Sequence, residues 1–565
     1  VFDSIFEAVS LIIIALASGF FFHRRGLRYL QYLQQEDYEG ERFWKWCQNK
    51  HAFDRRGTGA AVVGGILTGI ITGVSIRGGY LAGALFAIVL IQRALYEEDP
   101  RQDAKVKLRL TERAKRIFGY AESLNALVLL LLIPVAFYLG RLALPFYWLI
   151  QVMVFQFHPL FLIVAKVLLD PSEKKLQEGF ADEARKKMAE MRPIVIGITG
   201  SYGKTSTKVI LNEILGAVAP TFSTPRSINS YMGMTREIRE RLKYYHRYAI
   251  VEMGAYYIGS IRRMCGLTPP SVGIITAVGE MHLDRFGTPE NVFKAKSELA
   301  QAVPADGILI CNGDYEYCRK MAAENKKKTT LLYGLDESKG PLDAVMFDIR
   351  TSEQGSTFKI RYNGKQYEGF TKLLSKPLLS NVLGAFTLAM ALGIAPEIIL
   401  AAIRNVKTES NRLEPVRTTL SGLYPVSNVT NGKKQSEQVL RLNDAFNSNP
   451  IGFKAALDVL GEIPGKRKIL VTPGMIELAE RQAVENEAAA KRAASVCDFV
   501  VVVGETNKDP LIKGLKEGGL PSEKIECKAT MKEALSHLAS EYCGEGDVVL
   551  IENDLPDIYE ATPKF

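Results

Sequence analysis

Long apolar runs crowd the first 170 residues, and each is too hydrophobic to lie in water and about the length that a bilayer requires. Residues 5–22 (IFEAVSLIIIALASGFFF) carry a single charge, close to what an α-helix needs to cross about 30 Å of hydrocarbon. Further runs occupy 59–76, 79–95, 120–140 and 144–168, so about five spans are expected. A cleaved leader would place its basic residues first, whereas here Asp3 and Glu7 come first and Arg24, Arg25 and Arg28 follow. Segments 23–58 and 96–118 are rich in Lys and Arg, while the turns at Arg77 and Arg141 carry one positive charge each. Positive loops stay inside, so the N-terminus is expected outside and everything after about residue 169 inside, in the cytoplasm. Gly65, Gly69 and Gly73 form a small-residue face, expected to pack on the adjacent span in preference to driving dimerisation. His158-Pro159 reads as a kink rather than a functional site, since no ionisable partner is near it in sequence.

The rest of the chain changes character. Residues 170–193 are charged and helical in pattern, an amphipathic linker suited to a membrane surface. Beyond them, apolar runs at 194–199, 248–252, 272–277 and 306–311 read as buried strands separated by helical stretches. A second alternation starts near 412, with strands expected at 467–472, 498–504 and 546–552. The fold class is therefore a helical membrane domain (1–169) followed by two α/β domains (194–410 and 411–565). Such domains place their sites at the C-terminal ends of their strands.

The net charge of +9, from 71 Lys and Arg against 62 Asp and Glu, is explained by positive loops beside a membrane. No basic stripe with interleaved aromatics appears, so nucleic acid is not an expected partner. The seven cysteines are scattered with no C-x-x-C pair, which argues against a zinc site or disulfide framework and fits a reducing compartment.

The stretch GITGSYGKTSTK (197–208) lies between the first expected strand and a helix. The common phosphate-binding loop would put its first glycine at 198, where the chain has Ile198; Gly197 is too early and Gly200 too late. The context still suits an anion: backbone N–H groups and a helix N-terminus face it, and Lys204 adds a point charge. Thr205 or Ser206 can offer a hydroxyl to Mg²⁺. Glu252 ends a buried strand, where a carboxylate is unusual unless it coordinates something.

Gly-x-x-Gly-Lys-Thr after a strand, with Gly200, Gly203 and Lys204, resembles the loop of the Mur ligases, the ATP-dependent amide ligases of peptidoglycan synthesis. The similarity continues through NSYMG (229–233), VEMGAYYIGSI (251–261), ITAVGEMHLDRFGTPENVFKAKSEL (275–299), NRLE (411–414), NDAFNSNP (443–450) and GMIELAE (474–480). The last two are most like the D-alanyl-D-alanine-adding members. The resemblance implies ATP and Mg²⁺ as cofactors, a middle ATP-binding domain and a C-terminal domain that closes over it. It implies that Glu252 and His282 hold Mg²⁺, and that Lys296 holds a second ion if carbamylated. Asn381, Arg412 and Asp444 would contact ATP, and Asn229, Asn447 and Asn449 would lie near substrate. The pattern departs at Ser380, Asn443 and Phe446, where the family usually has His, an acid and Tyr, so the amine end of the site is the least secure.

The implied partners are ATP, a muropeptide-like carboxylate, an amino acid or dipeptide amine, and the lipid bilayer. Soluble Mur ligases begin with a domain that holds a UDP-sugar substrate; here the ATP-binding domain follows the membrane part directly. The family resemblance therefore does not carry the substrate across. An amino-acid or polyglutamate-type ligase acting on a different, lipid-linked carboxylate stays open, as does a non-catalytic nucleotide-binding scaffold in the membrane.

Overall fold

The computed structural model describes residues 2–102, 104, 106–139, 143–279, 286–326, 328–407, 412–423, 438–445, 448–555 and 559. It divides into two compact units: residues 1–176 with 555–565, and residues 177–554.

The first unit is helical. Its helices are α1 (Phe2–Gln35), α2 (Gly40–Asn49), α3 (Arg56–Val74), α4 (Ile76–Leu95), α5 (Glu112–Leu139), α6 (Ala143–Gln156) and α7 (His158–Met191), the last continuing past the unit's boundary. Among the described residues, three stretches are long and apolar enough to cross a membrane: 7–35, 56–74 and 76–95. A fourth is counted only if α6 and α7 are taken as one span, and they meet at 64°. The expected count was about five. The run at 120–140 falls in α5, part of whose apolar stretch lies outside the described side chains.

Charge is buried at one level of this unit. Arg25, fully buried, bridges Asp54 at 3.0 Å and Glu97 at 2.8 Å, and Arg28 reaches Glu97 at 3.0 Å. These ions tie α1 to the α2–α3 connection and to the residues after α4. Buried charges of this kind persist only when paired. The glycine stripe meets α6 rather than the adjacent α4. A Cβ on Gly65 would lie 3.0 Å from Trp148 and one on Gly69 3.3 Å from Pro145, while one on Gly73 would meet nothing. The close approach of α3 to α4 is made through Gly79 against Thr72 instead, while a Cβ on Gly83 would lie 3.0 Å from Ile14 of α1. Tyr559 packs on the cluster of Leu30, Phe43 and Ile117 and so groups with this unit, although the sequence placed it in the C-terminal domain.

The second unit holds two sheets. The first has order β2-β3-β1-β4-β5-β6-β7-β8-β9, from strands β1 (Ile194–Thr199), β2 (Thr221–Ser223), β3 (Tyr248–Glu252), β4 (Val272–Ile275), β5 (Ile308–Asn312), β6 (Thr329–Gly334), β7 (Ala344–Ser352), β8 (Gly355–Tyr362) and β9 (Lys365–Thr371). The first seven in this order are parallel neighbours, and β7–β9 form an antiparallel extension. The parallel strands are covered on both faces, which is why they read as unbroken apolar runs. The second sheet has order β10-β11-β15-β12-β13-β14: β10 (Glu414–Thr419), β11 (Gln438–Asp444), β12 (Lys468–Thr472), β13 (Phe499–Val503), β14 (Ile525–Lys528) and β15 (Val548–Glu552). Only β10 is antiparallel in it.

Candidate active site

The loop 200–203 joins β1 to α8 (Lys204–Gly216), and steric limits fix its two glycines. Gly203 has φ +81°, and a Cβ there would lie 2.4 Å from Asn381 Oδ1. A Cβ on Gly200 would lie 2.0 Å from Thr276 Oγ1. Any side chain at either position would therefore push the loop off the sheet.

Lys204 opens α8 and curls back, its Nζ donating to the Gly200 carbonyl at 2.7 Å. Burial lowers its pKa, and Glu252 partly opposes this. Glu252, at the end of β3 and 1% exposed, is held by three donors. Thr205 Oγ1 and Asn229 Nδ2 each donate to its Oε1 at 3.1 Å, and Lys208 Nζ lies 3.0 Å from its Oε2. Thr205 and Lys208 are three residues apart on α8, so one helix face presents both to the carboxylate. Lys296, in the helix Pro289–Ala302, is 4% exposed and has no hydrogen-bond partner among the described residues. Burial, then the charge of Lys204, holds its pKa well below the usual lysine value. Lys204, Thr205, Asn229, Glu252, Tyr256, Lys296, Arg412 and Asn449 line one cavity of about 280 Å³.

The C-terminal domain supplies the opposite wall. Arg412, Asp444, Ser448, Asn449 and Glu552 line a second cavity together with Ser206 and Asn381. Asn449 caps the helix Pro450–Glu462 by accepting from the Gly452 N–H at 3.0 Å, so it is a turn residue that also faces the cleft. Ser380 accepts a hydrogen bond from Asn312 Nδ2 at 3.0 Å, and both line the recess beside Asn381. His282 and Asn447 lie outside the described residues.

Asp444 and Glu552 end β11 and β15 as register partners. The Leu413 N–H donates to Asp444 at 3.0 Å, and Ser448 Oγ donates to Glu552 Oε1 at 2.5 Å. Burial pushes Asp444 up to about 6, against the opposing pull of Arg412. It pushes Glu552 well above the carboxylate range, with the Asp444 charge adding to it. Carboxyls with raised pKa values contribute stability that is present in acid and is lost as pH rises through those values. Raising pH from 5 to 8 should therefore lower the melting temperature, and Glu552→Gln should flatten that decline. The difference is about 2–4 °C for each kcal/mol relieved. Thermal scans of the full chain across this range are the measurement, and parallel pH profiles for the two proteins would count against the pair.

Glu252 and Thr205 turn oxygens toward one point beside the phosphate loop, as a nucleotide-bound Mg²⁺ requires from protein. Among the described residues no group of three or more His, Cys, Asp or Glu forms a metal cage. The donor set fits Mg²⁺ held on a nucleotide.

A glycine-turned loop feeding a helix, with a strand-end acid beside it and a second α/β domain across the cleft, defines a two-domain nucleotide-dependent enzyme. Residues 198–389 match the Mur ligase middle domain, and residues 432–552 match the Mur ligase, glutamate ligase domain. The chain belongs to the Mur ligase family through these two domains. It is 29% identical over 392 residues to the UDP-N-acetylmuramoyl-tripeptide–D-alanyl-D-alanine ligase of Bacillus subtilis, covering 69% of this chain and 78% of that one. It is 28% identical to the Escherichia coli ligase of the same name, over 55% of this chain and 64% of that one. The chain thus spans less than two thirds of the E. coli relative. MurF structures share the fold: that from Acinetobacter baumannii at TM-score 0.57 and 22% identity, over 67% of this chain and 77% of that one. That from Thermotoga maritima, in complex with ADP, has TM-score 0.56 and 24% identity, over 67% and 80%.

Proposed function

We propose that this protein is an ATP-dependent carboxylate–amine ligase of the D-alanyl-D-alanine-adding type, working on peptidoglycan precursors. The observation that carries the reading is the convergence of Lys204, Thr205 and Glu252 from one domain with Arg412, Asp444 and Asn449 from the other. The names of the curated relatives support the same reaction. The substrate carboxylate attacks the γ-phosphorus of ATP, giving an acyl phosphate and ADP. The amine then attacks the acyl carbon and expels phosphate. Both steps crowd anions together, so fixed cations lower the barrier. Lys204, at the end of the phosphate loop, would neutralise charge on the transferring phosphoryl group. Lys208 holds one oxygen of Glu252 and leaves the other facing the loop. Mg²⁺, when bound, neutralises charge on the phosphates. Burial lowers the pKa of Lys296 well below the usual lysine value, which favours the neutral amine that carbamylation requires. Asn381 and Asp444 contact the nucleotide in this reading, and Arg412 draws the two domains together over it.

The muropeptide acceptor is presented at the membrane, where a lipid carrier concentrates it beside a multi-pass, cytoplasm-facing enzyme. Phosphate release by the full-length protein in lipid, offered UDP-linked and lipid-linked muropeptides with D-alanyl-D-alanine or single amino acids, tests reaction and acceptor together. Release that ignores every muropeptide would overturn the assignment. Topology is checked separately. On a Cys527→Ser background, Arg77→Cys should react with an impermeant maleimide from outside, and Lys107→Cys only after permeabilisation. External labelling at 107 would reverse the orientation.

A further inference from the structure

The junction between α6 and α7 does not make a straight crossing. α6 has 14 residues, about 21 Å of helix, and α7 leaves it at 64°. The start of α7 is two-faced. Leu162, Ala165, Leu169 and Glu173 are buried against the cluster that contains Leu30, Phe43 and Ile117. On that packed side the charges are neutralised: Glu173 accepts from Arg116 at 2.5 Å, and Asp170 pairs with Lys166 at 2.7 Å. The other side shows Phe157, Val164, Val167 and Leu168 to the exterior, between 44% and 59% exposed. Their spacing makes one stripe along the start of the helix. The exposed Lys174 and Lys175 stand beyond the stripe.

A helix that crossed hydrocarbon here would carry Lys166, Asp170 and Glu173 into it, each costing about 2.5–3.5 kcal/mol or more unless fully paired. A helix lying flat meets no such cost: its apolar stripe faces acyl chains, its ion pairs face away, and its lysines reach headgroups. The exposed faces of α3 and α4 in the same unit are equally apolar, with Val63, Ile66, Ile70, Leu81, Leu85 and Ile88 outward.

We propose that the segment beginning at residue 157 lies in the plane of the membrane, its Phe157–Leu168 stripe in the headgroup–acyl boundary of the bilayer, and does not complete a crossing. This rests on the reading that α3 and α4 are membrane-embedded. The test is spin-label depth in full-length protein reconstituted in 3:1 phosphatidylcholine–phosphatidylglycerol vesicles. Labels are placed one at a time at Phe157→Cys, Val164→Cys and Leu168→Cys, with Leu85→Cys in α4 as reference, all on a Cys527→Ser background. The expected result is a shallow depth, about 5–10 Å below the phosphates, shared by the three stripe sites to within about 5 Å, with Leu85 deeper. A crossing helix would instead separate 157 from 168 by about 16 Å, which overturns the proposal. Water-like accessibility at all three sites with Leu85 still deep overturns it in favour of a protein-covered or bare face. Water-like accessibility at Leu85 as well would bring down the membrane reading itself.

Discussion

Replacing Lys204 by alanine should lower ligation by about 10²–10³-fold or more while leaving the protein folded. The effect on rate follows from where the ammonium sits. It opens α8 at the end of the phosphate loop, partly buried on a cavity wall, where burial lowers its pKa. A fixed cation aimed at developing phosphoryl charge is worth several kcal/mol of barrier. The protein should stay folded because, among the described residues, Nζ bonds to loop carbonyls alone, those of Gly200 and Ser201, and forfeiting such contacts costs about 1–3 kcal/mol. The loss should fall on kcat more than on KM for ATP, since the charge acts on the transferring group. Single-turnover acyl transfer at saturating ATP is the measurement. Turnover close to wild type in a folded Lys204→Ala protein would remove the loop from the mechanism.

Physical reasons separate what the sequence disclosed from what it hid. β1, β3, β12 and β13 were legible because a parallel strand covered on both faces must be apolar at every position. The phosphate loop was legible because Gly200 and Gly203 have no sterically allowed substitute. The extension β7–β9 was missed although Asn363-Gly364, with φ +48° and +74°, is a tight-hairpin signal. Its strands alternate polar and apolar residues and lack the runs that marked the others. Lys208 was missed because a lysine on an amphipathic helix ordinarily faces water; only the register of α8 against β3 places it on Glu252. Glu552 was missed for a similar reason. It sits at the end of an apolar strand, and its partner Asp444 is over a hundred residues away in the chain. Gly65 and Gly69 announced a close contact without naming α6 as its partner. The run 144–168 is continuous in hydropathy, and it was His158-Pro159 that announced the bend dividing it, where α6 and α7 meet at 64°.

The Lys208–Glu252 pair should prove the most costly contact to break by a single substitution. Lys208→Met leaves a carboxylate that is 1% exposed without its cation, and Glu252→Leu leaves an ammonium 2% exposed without its anion. Removing one partner of a buried pair costs about 3–5 kcal/mol, because the survivor keeps its desolvation cost and loses its compensation. The double variant leaves neither charge, so its cost should fall short of the sum of the singles by about 0.5–3 kcal/mol. Thr205 and Asn229 limit how much is recovered, since Glu252 Oε1 satisfies both and each loses an acceptor when Glu252 is replaced. The measurement is a thermal or urea transition for the four proteins, repeated with Mg²⁺ and a non-hydrolysed ATP analogue. Without ligand the three variants should rank with the double above the sum of the singles. With ligand, Lys208→Met should gain more stabilisation than Glu252→Leu, because it keeps the carboxylate that faces the nucleotide and its metal. Additive losses would show that Lys208 and Glu252 stand side by side without supporting each other. Equal stabilisation of the two single variants by ligand would show that Glu252 does not take part in holding it.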